Sequence, residues 1–96
     1  MDHFNKLTPA EAERLAMLAE ECGEVIQVIG KILRHGYESS HPVTPNTSNR
    51  DLLEKELGDV DAIMSLLSDA DDIFWQNVEL HSTNKLISVK KWTHHQ

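Results

Sequence analysis

Ninety-six residues with a formal net charge of −7, from 16 acidic and 9 basic side chains, describe a small acidic protein. That surface excludes non-specific binding to a nucleic-acid polymer, which needs clustered Lys and Arg. It suits a chain whose acid excess is partly neutralised by divalent cations. No run approaches the ~18 uninterrupted apolar residues of a membrane span.

The single cysteine, Cys22, precludes an intrachain disulfide and fits a reducing compartment. No secretory leader opens the chain, so a cytoplasmic location is expected. The length suits one domain over residues 1–96. So short a chain buries a modest core, which makes self-association an expectation. Three Pro, four Gly and two long helical patterns, with no alternating β-branched run, place the chain in the all-α class.

After a lead-in of seven residues, Thr8 reads as a helix N-cap, with Pro9 at the first helical position and Glu11 closing a capping box. The helix predicted from there runs to about Arg34. Its apolar stripe is Leu15, Leu18, Cys22, Val25, Ile26, Ile29, Ile32 and Leu33. Gly23 and Gly30 read as points of close helix packing. Off that stripe lies the motif E-E-x-x-E, formed by Glu20, Glu21 and Glu24. Glu21 and Glu24 share a face one turn apart, and Met17 and Val28 flank them. That face reads as a second interior surface, toward another helix or another subunit.

Gly36 ends the helix after His35. Residues 37–48, YESSHPVTPNTS, carry turn chemistry throughout and read either as a lid or binding loop or as plain disorder. Ser48 with Asp51, or Asn49 itself, starts a second helix running to about Leu67. At about 100° per residue, Leu52, Leu53, Leu57, Val60, Ile63, Met64, Leu66 and Leu67 share one arc. Glu56 falls inside that arc and Asp59 near its edge. A buried carboxylate must find a cation, a metal or a proton. The plainer alternative is an ion pair with Lys or Arg, or a place at the rim.

Residues 68–72 form an acidic turn. A third helical segment is predicted over about 72–80, carrying Ile73, Phe74, Val78 and Leu80. A fourth, capped by Ser82, is predicted over about 83–92, with Leu86, Ile87 and Val89 inward. It closes on Lys85, Lys90, Lys91 and Trp92, and residues 93–96 read as a frayed tail.

Two long helices joined by one loop are natural antiparallel neighbours. Facing each other, the pairs Glu21/Glu24 and Glu56/Asp59 supply oxygen ligands only, which selects Mg²⁺ or Mn²⁺ over Zn²⁺ or Cu²⁺. A di-iron bundle wants E-x-x-H on two helices. The sole E-x-x-H here, Glu38–His41, lies in the proline-flanked loop. Mg²⁺ takes phosphate oxygens as further ligands, which points to a polyphosphate substrate. Lys31, Arg34 and His35 at the end of the first helix, and Lys85, Lys90 and Lys91 further on, are candidates to hold it. Each also has an ordinary reading as a solvated charge or a partner of the helix dipole.

These motifs resemble the MazG-type all-α nucleoside triphosphate pyrophosphohydrolases. LAEECGEVIQ is similar to the first motif helix of that family and LEKELGDVDAIMSLL to the second. NKLISVKKW is similar to the C-terminal segment of its short bacterial and phage members. The resemblance spans about residues 13–92. It implies Mg²⁺-dependent cleavage of a (d)NTP to a (d)NMP and pyrophosphate, by a dimer or tetramer. It implies Glu21, Glu24, Glu56 and Asp59 as metal ligands, with Glu20 as the extra acid and general base. It further implies Lys31, Asn84, Lys85 and Lys91 near the phosphates or sugar, and Trp92 beside the base or sealing the pocket. Some short phage members, including MazZ-like ones, act on purine deoxynucleotides, which sets the expectation of dGTP or dATP. Two other readings stand beside this one: an all-α hydrolase of dUTP or phosphoribosyl-ATP, and a non-catalytic helical dimerisation module.

Overall fold

The computed structural model describes residues 4–96. Helix α1 spans Pro9–His35, α2 spans Asn49–Asp69 and α3 spans Trp75–Ser88, followed by a 3₁₀ turn at Val89–Lys91. No strand occurs among the described residues, only an isolated bridge between Ser40 and Ser48. The all-α class stands. The chain divides into two compact units, one ending at Leu66 and one spanning Leu67–Gln96.

In the first unit, the start of α1 is the expected capping box. The Glu11 N–H donates to Thr8 Oγ1 at 3.1 Å, and the Thr8 N–H donates to Glu11 Oε1 at 2.8 Å. Two otherwise orphaned donors are thereby satisfied. The helix stops at Gly36, whose φ of 87° and ψ of 168° lie in a region nearly restricted to glycine. The Gly36 N–H donates to the Ile32 carbonyl at 2.7 Å. Gly36→Ala is therefore expected to cost roughly 1–3 kcal/mol, read as a lower urea midpoint at unchanged slope.

The two helices of this unit run antiparallel. Lys31 and Leu52 meet near the loop, while Glu21 and Glu24 meet Glu56 and Asp59 further from it. The face that α1 turns inward is Met17, Glu21, Glu24, Val28 and Lys31, spaced four, three, four and three apart. That is the seam spacing of a coiled coil. Val28 is 6% exposed.

The predicted main stripe of α1 divides, with Leu18, Val25 and Ile32 half-buried beside this face. Within the predicted main stripe, Ile26 is 70% and Leu33 82% exposed, and Leu15, Cys22 and Ile29 are also exposed. On α2, Leu57 and Leu66 are exposed rather than inward. The helix–helix seam is occupied at its centre by carboxylates, so an apolarity count overlooks it.

In the second unit, the expected break at Ser82 is absent, and α3 is one helix through residues 75–88. No Gly or Pro interrupts that stretch. A serine caps only where the chain leaves helical geometry, and mid-helix it simply continues the ladder. Residues 72–74 lie outside the helix, after a turn at Asp71 with φ of 61°. Leu86 and Ile87, expected inward, are exposed, as are Phe74 and Leu80.

Candidate metal centre

The loop between α1 and α2 is built rather than disordered. The N–H groups of Asn49 and Arg50 donate to the carbonyls of Ser39 and Tyr37 at 2.8 and 2.9 Å. Ser40 Oγ donates to the Pro45 carbonyl at 3.1 Å. Arg50 Nε donates to Glu38 Oε1 at 2.7 Å, and its guanidinium lies 4.3 Å from the centre of the Tyr37 ring. Ser48 and Asp51 form a second reciprocal cap, with the Ser48 N–H to Asp51 Oδ2 at 2.9 Å and the Asp51 N–H to Ser48 Oγ at 3.1 Å. The Ser48 bonds hold the Asp51 carboxyl below its ordinary range. So α2 leaves the loop in a fixed direction and register.

That register brings the two acidic pairs together. Glu21, Glu24, Glu56 and Asp59 each offer a carboxylate oxygen, and these four atoms lie within 4.8 Å of one another. Glu56 is 9% exposed, and the other three are half-buried. Glu21 Oε2 and Glu56 Oε2 are buried without a hydrogen-bond partner. The Glu56 carboxyl is pushed above its ordinary range, first by a hydrogen bond with Glu24, then by burial and by the negative charge of Glu24. Crowding by a like charge favours the protonated form of the buried carboxyl.

Lys55 supplies part of the missing charge. Its Nζ lies 2.9 Å from Asp59 Oδ2 and 3.5 Å from Glu56 Oε1, while its side chain stays largely in solvent. The ion-pair alternative for Glu56 and Asp59 is thus partly realised, by a neighbour on α2 itself. Its i,i+4 spacing from Asp59 was the available signal. One ammonium against four carboxylates still leaves two buried oxygens orphaned. An all-oxygen donor set of this kind fits a hard divalent cation.

Glu20 is exposed on α1 and stands outside this group of four. Lys31, Arg34 and His35 gather at the other end of the hairpin, where they line a cavity of about 340 Å³ with residues of the loop and of α2. Asn49 also lines it and is 5% exposed. It was read from sequence only as a helix start. Its place seven residues before Glu56, on the same face, was the signal for its burial. In the second unit Lys85 Nζ lies 4.9 Å from the centre of the Trp92 ring, and Asn84, Lys90, Lys91 and Trp92 are exposed.

Two helices of an all-α unit thus bring paired carboxylates, without His or Cys, to one point that could hold a metal ion. The chain belongs to the family of the MazG nucleotide pyrophosphohydrolase domain, whose model matches residues 10–94. Members are nucleoside triphosphate pyrophosphohydrolases and generally use divalent metals. No match is found among curated proteins or among solved structures. No helix of the described residues is long and apolar enough to cross a membrane.

Proposed function

We propose that this chain cleaves a (deoxy)nucleoside triphosphate between its α- and β-phosphates, giving the monophosphate and pyrophosphate. Glu21, Glu24, Glu56 and Asp59 would hold Mg²⁺, with Mn²⁺ as a substitute. The observation that carries the reading is the convergence of these four carboxylates within 4.8 Å, two of them with an orphaned buried oxygen. When bound, the ion would neutralise the cluster and polarise the phosphoryl group.

Glu20, adjacent in sequence and open to solvent, is assigned to take the proton from the attacking water. Lys31, Arg34 and His35 are assigned to the phosphates, Asn84, Lys85 and Lys91 to the phosphates or sugar, and Trp92 to the base. Purine deoxynucleotides, dGTP and dATP, are the proposed substrates. Incubation with a nucleotide panel, with Mg²⁺, with Mn²⁺ and with chelator, tests this. The expected products are the monophosphate and pyrophosphate, formed only with metal. Release of orthophosphate alone, or turnover that survives the chelator, would overturn it.

The exposed stripe of α1 supports a second element of the reading, self-association as a dimer or tetramer. Among the described residues only Val28 and Leu67 are buried apolar side chains. A folded chain needs more burial than that to offset its conformational entropy. A second copy laid along Leu15, Ile26, Ile29 and Leu33 supplies it. Sedimentation equilibrium is expected to show at least a dimer, and Ile26→Glu with Leu33→Glu is expected to shift it toward monomer while lowering stability. A well-folded monomer at high concentration would refute this element.

A further inference from the structure

The cavity at the loop end of the hairpin is lined by Lys31 and Arg34 from α1, Ser39 and His41 from the loop, and Asn49 and Leu52 from α2. No carboxylate lines it. Neither Lys31 nor Arg34 forms an ion pair among the described residues. Two unpaired cations facing a concave, acid-free wall suit an anionic group.

The position of the cavity relates it to the carboxylates. Lys31 follows Glu24 by seven residues and Asn49 precedes Glu56 by seven. Each step is two helical turns, so the cavity lies roughly 10 Å from the cluster on the same face of both helices. Side chains on a helix lean toward its N-terminus, so Lys31 leans back along α1 toward Glu24. An anionic chain anchored at the carboxylates through a cation would run toward Lys31.

Asn49 fixes the far wall. It and Glu56 are the buried polar or charged residues of the described chain. Its Nδ2 donates to the Gly36 carbonyl at 3.1 Å, and its N–H donates to the Ser39 carbonyl at 2.8 Å. One residue of α2 thus ties down both the end of α1 and the loop segment that carries Ser39 and His41. A buried amide so placed specifies register, because loss of its partner leaves a polar group unsatisfied.

We propose that Asn49 is a positioning residue that holds the loop wall of this cavity, and that the cavity takes the diphosphate end of the substrate. The proposal rests on the pyrophosphohydrolase reading above and deepens it, since it gives the triphosphate a direction along the hairpin. The β- and γ-phosphates point toward the loop, and the nucleoside points away from it.

The test uses inorganic diphosphate and a nucleoside monophosphate as separate probes, each titrated calorimetrically with Mg²⁺ present. The parent is expected to bind diphosphate, and Lys31→Ala and Asn49→Asp to weaken that binding roughly tenfold or more. Asn49→Asp keeps the shape but sets a carboxylate against the Gly36 carbonyl. An acid in the first turn favours α2, so folding is retained. Asn49→Ser retains capping ability but is too short to reach Gly36. It is expected to raise KM more than it lowers kcat, and to speed amide exchange over residues 37–48. Mg²⁺ affinity without phosphate is expected to stay within about twofold in all three variants.

Unchanged diphosphate binding in Asn49→Asp would overturn the positioning role. Weakened binding of the monophosphate, with diphosphate unaffected, would overturn the direction and seat the nucleoside in the cavity. A parent that binds no Mg²⁺ would instead remove the metal reading, and this proposal with it.

Discussion

Glu56→Gln is expected to abolish turnover while leaving the metal-free protein at least as stable as the parent. Replacing a group that merely orients a metal ligand typically costs 10–100-fold in affinity or activity, so loss of a ligand itself should cost on the order of 10²-fold or more. Gln keeps the volume of Glu and can hydrogen-bond to Glu24, but it carries no charge. In the parent, the Glu56 carboxyl is crowded by Glu24 and poorly hydrated, as its upward displacement records. Removing that like charge relieves the metal-free fold, in keeping with the weak or negative stabilising worth of buried ionic groups. The opposed effects on activity and stability are what separate a catalytic carboxylate from a structural one. Assay of turnover with Mg²⁺ and a urea melt in chelator check both halves. A Gln variant that turns over normally, or that unfolds without metal, would assign Glu56 to the scaffold.

The dimerisation-module alternative predicts a different pattern. There the acids decorate a surface, Glu56→Gln changes nothing that depends on metal, and added Mg²⁺ leaves the melt unmoved. The geometry already weighs against it, because decorative carboxylates face solvent whereas Glu21 Oε2 and Glu56 Oε2 are buried without a hydrogen-bond partner.

Local chemistry was the legible part of this chain. The caps at Thr8 and Ser48 and the stop at Gly36 depend on a few adjacent residues, and the structure carries all three. The four carboxylates were legible because Glu56 violates the apolar pattern of α2, and because two i,i+3 pairs on neighbouring helices have few ways to meet. Which face of α1 meets α2 was not legible by apolarity. Leu15, Ile26, Ile29 and Leu33 out-hydrophobe the Met17–Glu21–Glu24–Val28 seam, yet the seam is what packs within the unit. A chain that sets carboxylates into a helix seam and leaves Leu15, Ile26, Ile29 and Leu33 exposed defeats any rule that equates apolar with interior. The break expected near Ser82 failed for a related reason, since a capping residue marks a helix start only where the backbone has already left the helix. The burial of Asn49 and the pairing of Lys55 were not legible, because a lone polar residue on a wheel has no signature until its partner is seen.

Mg²⁺ is expected to raise the melting temperature by an amount that grows with pH. A ligand at 100 times its Kd adds about 2.7 kcal/mol to the folded state. For a domain of this size that corresponds to about 10–20 °C. The pH dependence follows from Glu56, whose carboxyl in the folded state is raised above its ordinary 4.5, chiefly by its hydrogen bond with Glu24. Without metal, the folded protein holds that proton more tightly than the unfolded chain does. The contribution to stability is full below pH 4.5 and is lost as pH rises through the displaced value. With metal the sign inverts. The ion needs ionised oxygens, so it must displace the proton held by Glu56, and its affinity climbs over the same pH interval. The metal-free melt should therefore drift down with rising pH where the Mg²⁺ increment drifts up. Mg²⁺ binding should release protons, seen as a dependence of the calorimetric heat on the ionisation enthalpy of the buffer. Glu24→Gln removes the charge that crowds Glu56 and should flatten the metal-free pH dependence. Melts run at fixed protein concentration, between pH 5 and 8, with Mg²⁺ and with chelator, decide the matter. An increment that is the same at both ends of that range would mean the cluster titrates independently of the metal, and that the four carboxylates do not act as one site.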